Sequence, residues 1–194
     1  MKILLTLLGI GVVFVGLLYV VNYFAPPVPR ISTVITEMRE LGRLETAEFT
    51  MQSIVNSDTY QGNILQDALF GDKILLVAHG VVVAGIDLSN IAEKDVKISG
   101  TSLKITLPAP ILFSTTLDEG KTHVYDRKTG YLTPGETNLE SDAQDQALES
   151  IRQSACDGAI LEKARTSAKD RITQLYQLAG FTSVEVVVPV GTCK

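Results

Sequence analysis

KILLVAHGVVVAGIDL, residues 73–88, is the stretch of sequence that decides the fold. Val, Leu, Ile and Ala fill most of its positions, which is typical of a strand in the middle of a sheet. Its two interior glycines, Gly80 and Gly85, indicate a tight turn, a β-bulge or a close backbone contact. We predict one long strand here. If His79-Gly80 forms a turn, the same residues make a hairpin instead.

Other segments on both sides of this run have the period-two pattern of strands. Ala47, Phe49 and Met51 alternate with polar residues, and Asn56-Ser57-Asp58 is a turn cluster. Further strands are predicted at 95–99 and 102–107 (a hairpin turning at Gly100-Thr101), at 111–117, at 121–126 (followed by a turn at 127–130) and at 184–190, where Pro189 indicates an edge or a strand end.

The period changes to that of a helix after Ser141. The sequence Ser141-Asp-Ala-Gln144 fits a capping box, and Gly180 is a suitable C-terminal cap. Between them small and apolar residues recur about every 3.6 positions: Ala147, Ile151, Ala155, Gly158, Leu161, Ala164, Ala168, Ile172, Leu175 and Ala179. This pattern predicts one long helix, or two segments bent at Asp157-Gly158, packed closely on the sheet.

The predicted class is α+β, with an N-terminal transmembrane helix followed by a mostly antiparallel sheet, one long C-terminal helix and a closing strand. We divide the chain into an anchor at 1–25, a proline-containing linker with a short helix at 26–42, and one globular domain at 43–194. Gly42 is expected to end the short helix that begins at residue 31.

The segment Ile3–Phe24 contains no charged residue and is long enough to cross the hydrocarbon core of a bilayer. A cleavable signal has a shorter apolar stretch, and the candidate cleavage site Tyr23-Phe24-Ala25 is poor because Tyr23 is large and Pro26 follows the cut. We therefore predict an uncleaved anchor, with the lipid bilayer as the partner of residues 3–24.

Lys2 and the amino terminus favour a cytoplasmic N-terminus, although Arg30, Arg39 and Arg43 lie on the other side of the apolar segment. We expect a single-pass protein of the cell membrane with its soluble domain outside the cytoplasm. The formal net charge of −5 and the absence of a basic stripe argue against nucleic acid as a partner.

Cys156 and Cys193 are the two cysteines of the chain. An extracytoplasmic domain allows them to form a disulfide. The alternatives are two inert thiols or a reactive thiol, and the last requires an activating base nearby.

Several segments of the domain match one family. They are LVAHGVVVAGIDLS (76–89), Val96-Lys-Ile98, LKITLPAP (103–110), Val124-Tyr-Asp126 with Gly130, ARTSA (164–168) and Gly180-Phe181. On these residues, from about Arg39 to Val188, the chain resembles an uncharacterised bacterial family, the domain of unknown function numbered forty-two-thirty. The resemblance implies a shared fold and a single N-terminal membrane helix, and it implies no activity and no catalytic residues.

No catalytic or nucleotide-binding motif is present, and the sequence predicts neither a cofactor nor a metal. Gly85 and Asp87 are the candidate partner-binding residues, and the structural alternative is that Asp87 caps the turn at Ser89-Asn90. The two histidines, His79 and His123, could bind a metal with Asp87 and Asp126, but their spacing fits no metal motif.

The favoured function is a membrane-tethered binding module for a protein partner or a homo-oligomer. One alternative is a membrane-anchored enzyme, such as a hydrolase, with Asp87, His79 or His123 in a deep pocket. Another is a carrier of a small molecule or lipid, which needs a large apolar cavity between sheet and helix.

Overall fold

The computed structural model describes residues 14–17, 19, 30–59 and 63–193. Residues 14–17 and 19 are helical, while the rest of the predicted anchor Ile3–Phe24 and the proline linker lie outside the described residues. Among the residues that are described, no helix has the length and hydropathy needed to cross a bilayer. The anchor therefore stays a prediction.

The helices and strands of the described residues follow each other along the chain in an α+β order. The helices are α1 (Ile31–Leu41), α2 (Ile64–Phe70), α3 (Leu139–Asp157) and α4 (Ile160–Leu178), with a 3-10 turn at Glu93–Asp95. The strands are β1 (Arg43–Asp58), β2 (Asp72–Asp87), β3 (Val96–Ser99), β4 (Ser102–Thr106), β5 (Ile111–Leu117), β6 (His123–Thr129) and β7 (Ser183–Val187).

Strand β2 is the centre of the first sheet and is one continuous strand, so the hairpin alternative at His79-Gly80 is wrong. Strand β1 pairs with it along one edge, from Arg43 opposite Asp87 to Asp58 opposite Lys73. Strands β5 and β6 share the other edge and are both antiparallel to β2. The predicted turns at 56–58 and 127–130 are wrong, because residues 56–58 and 127–129 are strand residues that pair with β2.

A second sheet has the order β3-β4-β7. Strands β3 and β4 form the predicted antiparallel hairpin, whereas β4 and β7 are parallel. The strand pairs are mostly antiparallel, as predicted, but the strands form two sheets, so the prediction of a single sheet is wrong. A parallel pair needs a long crossover connection, and here helices α3 and α4 lie between β4 and β7 in the chain.

The C-terminal helical region is two helices and not one long helix. Helix α3 ends at Asp157, and Ala159 has a left-handed backbone with φ of 58° before α4 begins. A non-glycine residue in this conformation cannot continue a right-handed helix. The bend falls at Asp157-Gly158, where the sequence pattern allowed two segments as the alternative to one long helix. Helix α3 also begins two residues before the predicted capping box, so that Ser141 lies inside the first turn and its hydroxyl donates to the Asn138 carbonyl oxygen.

Because the helices bend, they cover two separate cores. Helix α3 and the first half of α4 pack on the first sheet, where Ile151 lies directly against Gly80 and a Cβ on that glycine would come within 2.8 Å of the Ile151 side chain. The second half of α4 packs with α1 on the second sheet. The small-residue stripe is buried as predicted except at Gly158 and Leu175, which are exposed, and Ala179, which is half-buried; Tyr176 is buried in place of Leu175.

The end of α4 combines a glycine turn with an aromatic contact. Gly180 has φ of 102°, and the N–H of Phe181 donates to the carbonyl of Tyr176, which is the hydrogen bond of a Schellman motif. The rings of Tyr176 and Phe181 meet edge to face, with centroids 6.1 Å apart. Burial raises the pKa of Tyr176, whose hydroxyl donates to the Val34 carbonyl of α1. The turn at Gly180 therefore ends α4 and brings Phe181 against Tyr176, which also bonds to α1 in the second core.

Cys156 and Cys193 form a disulfide with their Cα atoms 6.2 Å apart. The bond ties the C-terminal tail to the end of α3. Beside it, Gly191 lies so close to Pro110 and Leu161 that a side chain there would collide with the Pro110 carbonyl.

The disulfide generates a prediction about stability and thiol content. The native protein should contain no thiol that reacts with an alkylating reagent, and mass spectrometry measures this directly. Reduction should lower the free energy of unfolding by about 4 kcal/mol on the chain-entropy model, because the bond closes a loop with a sequence separation of 37. Two alkylated thiols in the unreduced native protein would contradict the bond.

A second prediction concerns the packing of α4. Ala168 is fully buried, and its neighbour Lys169 is exposed. Ala168→Leu should lower the free energy of unfolding by roughly 1–3 kcal/mol, because added methylenes overpack a close interface. Lys169→Leu is the matched control and should change the unfolding midpoint little. Equal midpoints for both variants would show that α4 packs on a different face.

Candidate functional site

Gly85, one of the two candidate binding residues, is buried at a β-bulge. The register between β1 and β2 shifts between Glu45 and Ala47, directly opposite this glycine. A Cβ at Gly85 would collide with the Leu44 carbonyl and would lie 2.7 Å from the Phe113 ring. The absence of a side chain at Gly85 therefore allows two strands and an aromatic ring to meet.

Asp87, the other candidate binding residue, has the structural role that the sequence offered as the alternative, which is to cap the turn at Ser89-Asn90. Its Oδ1 accepts a hydrogen bond of 2.9 Å from the Ser89 N–H. Hydrogen bonds from the Ser89 hydroxyl and backbone lower the pKa of Asp87, and the charge of Arg43 adds to this effect. The carboxylate caps the turn after β2.

The two histidines lie on the face of the first sheet that the helices do not cover. His79 is opposite Gln52, and His123 is opposite Val77 and donates a 3.0 Å hydrogen bond from Nδ1 to the Lys121 carbonyl oxygen. Asp87 is about eight residues further along β2 from His79, or roughly 26 Å at 3.3 Å per residue. Within the described residues, no three His, Cys, Asp or Glu side chains gather where a metal could bind.

Charged side chains converge instead at the opposite end of β2. A cleft of about 330 Å³ opens there beneath α2. We call it the distal cleft. Its lining comes from the ends of β1 and β6, the start of β2, and one face of α2: Asp58, Thr59, Asp67, Ala68, Gly71, Asp72, Lys73, Lys128, Thr129 and Gly130.

Two glycines let α2 lie this close to the sheet. A Cβ at Gly71 would be 2.5 Å from the Asp67 carbonyl oxygen, and one at Gly130 would be 2.6 Å from the Leu69 carbonyl carbon. The backbone then joins the two segments, because the N–H of Gly130 donates to Gly71 and that of Leu132 donates to Leu69, both at 2.7 Å. The helix is thus held over the sheet by main-chain hydrogen bonds.

A buried ion pair closes the floor of the cleft. The side chain of Asp72 is only 1% exposed, and its Oδ2 accepts hydrogen bonds from Arg127 at 2.6 Å and from the Glu136 N–H at 2.8 Å. The hydrogen bond from Arg127 is the main reason why the pKa of Asp72 lies below its ordinary value, and the Glu136 backbone and Thr129 hydroxyl contribute in the same direction. The charge of Asp72 is therefore paired with Arg127, so this carboxylate supports the floor of the cleft and offers no unpaired charge to a ligand.

The charges that remain face the cleft in one row across three strands. Asp58 of β1 is directly opposite Lys73 of β2, and Lys73 is directly opposite Lys128 of β6. Neither Asp58 nor Lys73 forms an ion pair within the part of the chain that is described, and Lys128 has Asp126 at 4.0 Å. Asp67 adds a second carboxylate from α2.

Two exposed apolar side chains lie close in sequence to the lining residues of the cleft but are not part of the lining. Ile64 of α2 is 84% exposed, and Tyr131, which follows Gly130, is 91% exposed. The lining itself is mainly charged and polar, with Ala68 as its apolar side chain. It therefore presents hydrogen-bonding groups and both signs of charge to a polar molecule.

A second groove lies between β5 and α3 and has a volume of about 620 Å³. Its ionisable residues are all acidic: Glu119, Glu140 and Asp145. Because it offers carboxylates alone, it provides less basis for selecting a ligand than the distal cleft, which presents both signs of charge.

Sequence reasoning missed the distal cleft because it missed α2. A local signal was present: Asn63 precedes the helix and its Oδ1 accepts from the Leu65 N–H, and Gly71 follows the helix. The position of Lys128 beside Lys73 had no local signal. It follows from the pairing of β6 with β2, between residues far apart in the chain.

A family model described as "Protein of unknown function (DUF4230)" matches residues 36–186. The chain therefore belongs to the DUF4230 family, which confirms the resemblance. Neither the curated proteins nor the solved structures gave a match.

The ion pair at the cleft floor predicts a pH-dependent stability. Since the folded pKa of Asp72 is lowered, its contribution is complete above the unfolded value of about 3.9 and is lost as the pH falls through the folded value. Asp72→Asn should lower the free energy of unfolding by about 2 kcal/mol at neutral pH. The difference from the wild type should shrink as the pH approaches 3, which urea titrations at several pH values measure.

The control is Asp126→Asn on β6, the strand that carries Arg127; the Asp126 carboxylate is half-exposed and 4.0 Å from Lys128. This variant should change stability little at any pH, because exposed ion pairs contribute little. A difference between Asp72→Asn and the wild type that does not vary with pH would contradict the stabilising role of the Asp72 charge.

Proposed function

We propose that this protein is a membrane-tethered extracytoplasmic domain that binds a small polar ligand in the distal cleft. The observation that carries the proposal is the convergence of Asp58, Asp67, Lys73 and Lys128 on one cavity. Lys73 and Lys128 are like charges directly opposite each other, which costs stability, and a bound anionic group would offset that cost.

The proposed compartment has its own support. Disulfides persist outside the cytoplasm and are rare within it, and the Cys156–Cys193 bond holds the tail of this domain. The apolar segment Ile3–Phe24 supplies the proposed tether. Together they favour a domain displayed on the outer side of the membrane.

The alternatives receive less support from the geometry. A hydrolase was expected to place Asp87, His79 or His123 in a deep pocket, and none of them lines the distal cleft. The cleft lining also contains no Ser, Cys or His that could act as a nucleophile and base pair. A lipid carrier needs a large apolar cavity between sheet and helix, whereas the groove between β5 and α3 is lined by Glu119, Glu140 and Asp145, and Ile151 packs directly on Gly80.

The tether and the orientation predict the result of a protease experiment. Protease added to intact spheroplasts that express the full chain should degrade the domain, while a cytoplasmic marker protein stays intact. The readout is an immunoblot against a C-terminal tag. Protection of the domain until the spheroplasts are lysed would overturn the proposed orientation.

Binding is tested with the purified full chain in detergent and a library of small polar compounds, by ligand-observed NMR. Compounds should bind the wild type and lose binding when Lys73 and Lys128 are both changed to Met. Lys97→Met, an exposed lysine on β3, is the matched control and should leave binding unchanged. Compounds that bind the double variant as well as the wild type would exclude the cleft as the binding site. Turnover of the compounds would favour the hydrolase alternative.

A further inference from the structure

We propose that the distal cleft selects a zwitterion, an amino acid or a short peptide, whose carboxylate lies between Lys73 and Lys128 and whose ammonium group faces Asp58. The inference rests on the proposed binding function and adds the chemical class of the ligand. It is carried by the order of charges in the row that crosses the three strands at the floor of the cleft.

The two lysines create the need for an anion. Lys73 and Lys128 are directly opposite each other on β2 and β6. Residues in this relation have Cβ atoms about 5 Å apart, and like charges there repel. Lys73 has no ion pair within the described chain, and Asp126 is 4.0 Å from Lys128. A carboxylate placed between the two ammonium groups would relieve the repulsion and accept hydrogen bonds from both.

The carboxylates of the cleft restrict which anion fits. Asp58 is on the opposite side of Lys73, and neighbouring strands are about 4.8 Å apart. A multiply charged anion such as a phosphate ester would bring its negative charge close to Asp58 and Asp67. A simple cation would meet the two lysines. A ligand with one charge of each sign, in the order of the row, is complementary to the whole floor.

The size of the cleft and its lining agree with this class. A volume of about 330 Å³ accommodates a dipeptide-sized molecule. The Thr59 and Thr129 hydroxyls already donate to Asp72 and keep acceptor capacity for a peptide N–H. Ala68 in the lining offers a small apolar surface to a side chain. Charged termini, a peptide group and an apolar side chain are the three parts of a short peptide.

The experiment compares three probes by isothermal titration calorimetry on the full chain in detergent. They are L-alanyl-L-leucine, its N-acetyl derivative without the ammonium group, and its C-terminal amide without the carboxylate. The dipeptide should bind, and each derivative should bind at least about tenfold more weakly, because each leaves one end of the row unpaired.

Substitutions assign each end of the ligand. Changing Lys73 and Lys128 together to Met should abolish dipeptide binding, and Lys97→Met should have no effect. Asp58→Asn should weaken binding of the dipeptide and leave binding of the N-acetyl derivative unchanged, since that probe has no ammonium group to lose a contact. Thermal unfolding of every variant confirms that the fold is retained.

Each outcome supports or overturns the inference separately from the proposed function. Equal affinity of the dipeptide and its N-acetyl derivative would overturn the zwitterion and leave a simple anion site. Failure of all three probes, while library compounds still bind in a lysine-dependent way, would overturn the ligand class and keep the binding function. Failure of every compound would overturn both.

Discussion

The structure depends on the pairing of one central strand along both of its edges. Strand β2 runs from Asp72 to Asp87 without interruption, with β1 along one side and β5 followed by β6 along the other. At about 3.3 Å per residue it extends roughly 50 Å. Helix α3 and the first half of α4 cover this sheet, whereas the second half of α4 packs with α1 on the second sheet, so two cores form.

The features that follow from local patterns could be predicted from the sequence. They include the β2 strand, the β3–β4 hairpin, the small-residue face of α3 and α4, the end of α1 at Gly42 and the pairing of Cys156 with Cys193. Long-range pairing was not predictable in this way. Residues 56–58 are polar and favour a turn by local propensity. In the structure they are extended because they pair with β2. The parallel contact of β4 with β7 likewise joins segments separated by two helices.

The same distinction applies to the candidate site residues. Gly85 and Asp87 stand out in the sequence because they interrupt an apolar run, and in the structure they accommodate a bulge and cap a turn. The residues of the distal cleft are ordinary polar residues one by one. They acquire a chemical role only when the register places Asp58, Lys73 and Lys128 side by side. A cleft floor made of strand ends has no local sequence signature, because the strand register alone brings its residues together.

The position of the cleft also gives the proposed tether a mechanical meaning. Helix α1 buries Val34, Ile35 and Met38 in the second core, and the Arg39 guanidinium donates to the Ile91 carbonyl at 2.6 and 2.8 Å. A tether that precedes Ile31 is therefore connected to a firmly docked helix. From there β1 runs its whole length before it reaches the cleft. If residues 3–24 anchor the chain, the sheet acts as a rigid spacer that separates the cleft from the point where the chain enters the domain.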